Sequence, residues 1–145
     1  MKIQFFLNKQ KKSFKNLSTK GPVLSISGKI ECTGGTAGSY DCNNIDLMAF
    51  MDKTEIGGGN NTNLNDIWGW TDPVTAKEYA LVGMSNGTSF VDITAPDSPV
   101  YVGRLATHSS NSTWRDIKVY NNYAFIVSEA SGHGMQVFDL TRLRN

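Results

Sequence analysis

The sequence has few of the residues on which catalytic and metal sites usually depend. It contains two histidines and two cysteines in 145 residues, and its cysteines do not form a Cys-x-x-Cys pair. Two thiols with no histidine nearby make a poor zinc site. Long apolar runs are also missing, so no segment approaches the length of a membrane-spanning helix. The composition therefore argues against zinc binding and against a transmembrane segment.

The charge of the chain is unevenly distributed, although the net charge is only +1. Residues 1–20 contain six lysines and no acidic residue, which leaves eight basic and thirteen acidic residues in the rest. A mildly acidic body without a basic stripe argues against nucleic acid as a partner. Residues 1–22 are predicted to form a basic, disordered leader. The apolar patch at residues 3–7 is too short for a clear signal peptide.

Residues 23–63 are predicted to form a separate N-terminal segment with a strand over 23–30 and a short helix over 45–51. Cys32 and Cys42 lie ten positions apart in a glycine-rich stretch that can bring their side chains together. In an oxidising compartment a disulfide here would stabilise the fold by about 3 kcal/mol. In a reducing compartment the same residues would be ordinary thiols.

One segment of the sequence occurs twice, with the same order of short apolar runs and turns. Corresponding positions lie 44 to 50 residues apart, as the pairs Asp66 and Asp116, Ala80 and Ala124, and Asp92 and Asp139 indicate. Repeats of this length, built from short strands, are typical of β-propeller blades. The sequence therefore predicts an all-β fold. We expect a partial β-propeller with one four-stranded blade at 64–107 and a second, incomplete blade at 108–145.

Propellers typically need four to eight blades to close, and a unit of this kind is stabilised by its neighbours. We therefore expect the chain to be an N-terminal fragment of a longer protein, or to complete its fold by assembly. Unpaired strand edges can also pair with another chain. A small β domain that self-associates through its exposed edges is thus a further hypothesis.

Several segments resemble the choice-of-anchor B family, which consists of bacterial surface proteins with LVIVD-type β-propeller repeats. The resemblance rests on WGWTDPVTAKEYALVG at 68–83, GTSFVDI at 87–93, WRDIKVY at 114–120 and HGMQVFDLTRL at 133–143. It covers roughly residues 32–144 and implies a secreted or surface-anchored propeller. It implies no reaction, so a non-enzymatic binding or scaffolding module of unknown ligand is expected.

Four residues are the candidates for ligand binding: Asp66, Asp116, Arg115 and His133. Both aspartates begin the first strand of a repeat, and Arg115 adjoins the second of them. If that strand is innermost, these groups lie near one mouth of the channel. The alternative interpretation is that each aspartate caps a turn, which its recurrence in both repeats favours. His133 lies between two glycines in a turn, where loop residues often carry function.

Two other functional hypotheses stay open on the sequence. The oxygen-rich run at 60–66 has ligands of the type that calcium takes, but it contains one carboxylate and no EF-hand pattern. No other cofactor is predicted. An enzyme of hydrolase or lyase type would need His133 to converge with carboxylates in the channel of a completed propeller. The Gly83-Met-Ser-Asn-Gly87 match to a nucleophile elbow is rejected, because a hairpin rather than a helix should follow it.

Overall fold

Antiparallel β-strands make up most of the described structure. The computed structural model describes residues 28–144 and the backbone of residues 3–4. The strands in chain order are β1 (Ile3–Gln4), β2 (Thr36–Ala37), β3 (Tyr40–Asp41), β4 (Phe50–Met51), β5 (Leu64–Thr71), β6 (Glu78–Met84), β7 (Gly87–Asp92), β8 (Val100–Ala106), β9 (Arg115–Tyr120), β10 (Tyr123–Ser128) and β11 (Met135–Asp139). A 3₁₀ helix, Leu140–Arg144, follows β11.

The larger two sheets repeat one antiparallel meander. Strands β5 to β8 form a four-stranded sheet in chain order, and β9 to β11 form a three-stranded sheet in the same order. The β6–β7 hairpin turns at Ser85 and Asn86, and Gly87 opens β7. This arrangement confirms the predicted all-β, partial propeller-like fold.

Strand β6 is buried on both of its faces, from Tyr79 to Met84. Side chains along a strand alternate between the two faces of its sheet, so such a run needs cover on both sides. Tyr79 and Leu81 on one face join a core with Ile126 of the second repeat. On the other face, Val82 joins a core with Ile56, which lies before β5. The N-terminal segment thus covers the first repeat on the side away from the second.

The main core lies between the two repeats and combines aromatic with aliphatic side chains. Phe90 of β7 stacks on Phe138 of β11 with ring centroids 4.7 Å apart, and Trp70 stacks on Tyr79 at 5.3 Å. Leu143 of the 3₁₀ helix closes the same core. Burial of this apolar surface is the main force that holds the two repeats together.

The helix predicted over residues 45–51 is wrong. Leu47 forms a bridge with Ile30 through two backbone hydrogen bonds of 2.8 and 3.0 Å, and Phe50–Met51 forms β4. Leu47, Ala49 and Phe50 pack into the interior, so the burial does not follow one helical face. The carboxylate of Asp46 accepts the N–H of Cys32 at 3.0 Å. Contacts distant in sequence therefore override the local helical pattern.

The remaining predictions for the N-terminal region lie mostly outside the described residues. Of the predicted leader at 1–22, only Ile3–Gln4 is described, and its backbone pairs with Phe50–Met51. Of the predicted strand at 23–30, the described part is residues 28–30. Cys32 and Cys42 are joined by a disulfide with their Cα atoms 5.9 Å apart. Tyr40, Leu47 and Phe50 pack beside this loop in a small core of their own.

Candidate functional site

Three hydrogen bonds join the two repeats near the start of β9, and we call them the inter-repeat clasp. Asp66 Oδ2 on β5 accepts the backbone N–H of Ile117 on β9 at 2.8 Å. Asn65 Nδ2 donates to the backbone carbonyl of Arg115. Arg115 Nε donates back to the carbonyl of Met84, at the end of β6, at 3.0 Å. The clasp therefore fixes β9 against β5 and β6 with one charged acceptor and one charged donor.

The clasp corrects the interpretation of Asp66 as a turn cap. Its partner lies 51 positions away on the other repeat, so the bond is tertiary rather than local. The turn-capping role belongs instead to Asp92 and Asp139, whose Oδ1 atoms accept the N–H groups of Thr94 and Thr141 at 3.0 Å. The recurring Asp-x-Thr pattern is thus an Asx turn at the end of a strand.

Asp116 occupies the position in the second repeat that Asp66 occupies in the first, but its surroundings differ. Its side chain is 61% exposed and pairs with Lys118 at 2.8 Å. The hydrogen bond from Lys118 lowers the pKa of Asp116, and a hydrogen bond with Asp66 acts in the same direction. The Lys118 ammonium also lies 4.4 Å from the centroid of the Trp68 ring.

Arg115 is buried, with only 3% of its surface exposed. Besides Met84, its guanidinium contacts Nε2 of His133 through Nη1 at 3.4 Å, and its buried Nη2 atom has no partner among the described residues. Burial lowers the pKa of Arg115 from its usual value, which for arginine still leaves the group charged. No ion pair balances this charge within residues 28–144. A buried cation in this state is costly unless an anion or polar group meets it.

His133 is buried beside Arg115 and is held in one tautomer. Because Arg115 Nη1 donates to Nε2, the ring hydrogen belongs on Nδ1, which lies 2.7 Å from Ser109 Oγ. Burial lowers the pKa of His133, and Arg115 and His108 act in the same direction. His108 stacks on His133 with centroids 4.6 Å apart, and its Nε2 lies 2.7 Å from the His133 carbonyl. His133 is therefore a neutral, oriented hydrogen-bonding group.

These side chains come together at one end of the two repeats, and we call this region the loop end. It is formed by the β6–β7 turn, the connection at 107–114 and the turn at 129–134. Ser112 N donates to the Ser85 carbonyl at 3.0 Å, and Glu129 N donates to the Trp114 carbonyl at 3.2 Å. The Trp114 side chain is largely exposed there. The loop end thus combines a buried cation, two histidines and an exposed aromatic ring.

Of the four predicted ligand residues, the structure brings Arg115 and His133 together. Asp66 lies on β5 and belongs to the clasp, and Asp116 directly follows Arg115 on β9. Ser109 was missed by sequence reasoning, because a serine in a Ser-rich connection carries no distinctive signal. A ligand role for any of these residues stays a prediction.

The oxygen-rich run proposed for calcium is engaged by a lysine instead. Lys53 Nζ donates to the carbonyl of Asn60 and, at 3.0 Å, to the carbonyl of Thr62. Thr62 Oγ1 accepts the N–H of Gly59 at 2.9 Å. An ammonium group therefore sits among the carbonyl oxygens of this loop. Within residues 28–144 there is no group of three or more His, Cys, Asp or Glu side chains arranged to hold a metal ion.

The chain carries LVIVD-type repeats. The family model of the LVIVD repeat matches residues 74–107 and 113–132, which span β6 to β8 of the first repeat and β9 to β10 of the second. No curated protein and no solved structure shows a significant match to this chain. Within the described residues, no helical segment has the length and apolarity to cross a membrane. The repeats and the all-β architecture together define a β-propeller-like repeat domain.

Proposed function

We propose that this chain is a non-enzymatic binding and scaffolding module of a secreted or cell-surface protein, and that it binds an anionic ligand at the loop end. The observation that carries the proposal is the uncompensated positive charge of Arg115. A fixed cation in a region of low dielectric attracts anions more strongly than one in water. Carboxylate and sulfate groups suit the planar guanidinium.

The neighbours of Arg115 support binding more than catalysis. His133 accepts from the guanidinium and faces Ser109, and none of the hydrogen-bonding partners described for its ring is a carboxylate. A histidine next to a cation is a poor proton acceptor at neutral pH, because the cation disfavours the imidazolium form. The exposed Trp114 adds a flat apolar surface of the kind that sugar rings and aliphatic groups contact.

The surroundings of the disulfide support export. Cys32 and Cys42 are paired in a small loop, and such bonds persist mainly in oxidising compartments. This agrees with the resemblance to the choice-of-anchor B family, whose members are surface proteins. Assignment to that family and the extracellular location are parts of the proposal.

The binding proposal can be tested with inorganic sulfate and acetate as probes. We expect each anion to raise the Tm of the protein saturably and to shift the NMR signals of His133, because a ligand that binds only the folded state stabilises it. R115Q should abolish the saturable part of both effects. R104Q is the matched control, since Arg104 is exposed and contacts Gly57 at another site. Equal responses of wild type and R115Q would reject the loop end as an anion site.

A further inference from the structure

The two ring nitrogens of His133 have different partners at the loop end. Nδ1 lies 2.7 Å from Ser109 Oγ, and Nε2 accepts from Arg115 Nη1 at 3.4 Å. A usual N–H hydrogen bond spans about 2.7–3.2 Å between its heavy atoms, so the contact with Arg115 is long and weak. The lone pair of Nε2 is therefore the part of this network that changes its partner at the lowest cost.

A proton on Nε2 of His133 turns its contact with Arg115 from attraction into repulsion. The neutral ring accepts a hydrogen bond through Nε2, whereas the imidazolium carries an N–H on both nitrogens and accepts none. Both residues are only 3% exposed, so water screens the two charges poorly. Like charges in contact repel strongly where the dielectric is low. Protonation of His133 therefore separates the pair unless an anion enters between the two groups.

The groups that face the His133 ring supply no negative charge. Its charged and titratable neighbours are Arg115 on β9 and His108 in the connection at 107–114, whose ring stacks on it with centroids 4.6 Å apart. The other contacts described for the ring are with Ser109 and with the backbone of Ile126 on β10. Burial lowers the pKa of His133, Arg115 and His108 lower it further, and the Ile126 backbone raises it. The ring is therefore neutral in the free protein at neutral pH.

We propose that the loop end binds its anion together with one proton, which His133 takes up on Nε2, so that the anion lies between the imidazolium and the Arg115 guanidinium. The proposal rests on the proposed function of the loop end and adds its regulation by pH. The proton comes from solvent and binds the lone pair of Nε2, and the anion forms no covalent bond. Arg115 donates to the anion through Nη1 and Nη2. Nη2 thereby gains a partner, which it lacks among the described residues.

Joint binding of an anion and a proton fixes the direction of the pH dependence. An anion beside the imidazolium raises the pKa of His133 in the complex, and by linkage the proton raises the affinity for the anion by the same factor. The affinity should be constant above the pKa of the complex and rise by up to about tenfold for each pH unit below it. It should become constant again below the pKa of the free protein. For a histidine this range lies between about pH 5 and 8.

The proposal can be tested by NMR titration of the full chain with inorganic sulfate at constant ionic strength. Sulfate keeps the same charge across this pH range, so any proton that accompanies it binds to the protein. We expect the affinity of wild type to be about tenfold higher at pH 5.5 than at pH 7.5. Saturating sulfate should also raise the pKa of His133, followed through its ring signals. Equal affinities at the two pH values would overturn the proposal and leave the loop end as an anion site.

Two variants show which histidine takes up the proton. H133Q keeps an amide oxygen that accepts from Arg115 but does not titrate, so its sulfate affinity should be the same at both pH values. H108Q is the matched control, because it removes the stacked neighbour and should keep the pH dependence. A pH dependence that persists in H133Q and disappears in H108Q would overturn the proposal. Wild type without saturable sulfate binding at either pH would reject the proposed function as well.

Discussion

Asp66 on β5 accepts the backbone N–H of Ile117 on β9 at 2.8 Å, so the first repeat holds the second through a charged acceptor. Asp116, which directly precedes Ile117 on β9, is the counterpart of Asp66 in the second repeat. Its carboxylate is largely exposed. The same residue type at the same repeat position therefore has two sets of partners: Asp66 bonds to the backbone of the other repeat, and Asp116 pairs mainly with the side chain of Lys118 on its own strand. This difference sets the first prediction.

D66A should destabilise the protein by about 1.5 kcal/mol, the lower value for a hydrogen bond to a charged group. The loss follows because the N–H of Ile117 would lose its partner between the two repeats. D116A is the matched variant and should change the free energy of unfolding little, since exposed ion pairs are weak. Urea unfolding of both variants measures the difference. Equal losses would show that Asp66 contributes nothing through its inter-repeat bond.

R144A should destabilise the protein clearly more than R142A. Arg144 Nε and Nη2 donate to the two carboxylate oxygens of the buried Asp72 at 2.8 and 2.6 Å, which joins the 3₁₀ helix to the turn after β5. Removal of the arginine leaves a buried carboxylate with only local partners. Arg142 makes no such pair and lies 5.6 Å from the Phe138 ring centroid. Thermal unfolding of the two variants at pH 7 makes the comparison.

The same pair predicts a loss of stability in acid. The hydrogen bonds from Arg144 are the largest cause that holds the pKa of Asp72 well below its usual range. Asp72 therefore makes its full contribution to the free energy of unfolding above about pH 4, which is its pKa in the unfolded chain. That contribution is lost as the pH falls toward the pKa of the folded state. The Tm of wild type should drop below pH 4 more steeply than that of R144A. Parallel curves would contradict a charged Asp72 in the folded protein.

The buried His133 predicts a second pH dependence of protein stability, at a higher pH than that of Asp72. Burial lowers its pKa below the value of about 6.5 in the unfolded chain, so the unfolded state takes up the proton first. Stability from the neutral ring is complete above about pH 6.5 and is lost as the pH falls through the folded pKa. H133Q should remove this part of the pH profile, while H108Q should keep most of it. An NMR titration of His133 checks the direction of the pKa shift.

G87A should cost at least about 2 kcal/mol, because Gly87 has a φ of 153° and an added Cβ would lie 2.2 Å from the Leu105 carbonyl oxygen. That atom belongs to the backbone of β8 and cannot move away without breaking the β7–β8 pairing. G103A is the control on the same sheet, since a Cβ there meets nothing within 4 Å. Similar unfolding midpoints for the two variants would contradict the close approach.

Much of the fold could be predicted because its signals are local. The short apolar runs and the doubled segment predicted an all-β fold with one four-stranded and one incomplete blade, and the structure contains a four-stranded and a three-stranded meander. The predicted helix at 45–51 failed for the opposite reason. Leu47 and Phe50 are held by partners distant in the chain, and a local pattern of apolar residues does not reveal such partners.

The candidate site could be predicted only in part. His133 and Arg115 stood out because they do not repeat, and they are in contact. Ser109 completes their hydrogen-bonding network but carries no sequence signal. The role of Asp66 was also hidden, since a carboxylate that bonds to a local turn and one that bonds to another repeat look alike in sequence.

The sequence by itself determined that this protein is built of short β-strands in a segment that occurs twice, because strand period, turn chemistry and repeat length are properties of neighbouring residues. Tertiary structure alone decided which repeated aspartate bonds to the backbone of the other repeat, which apolar face is covered and where Arg115 is buried. These outcomes depend on contacts between residues up to 72 positions apart, such as Asp72 with Arg144. Such contacts form only when the repeats pack, and identical positions then acquire different surroundings.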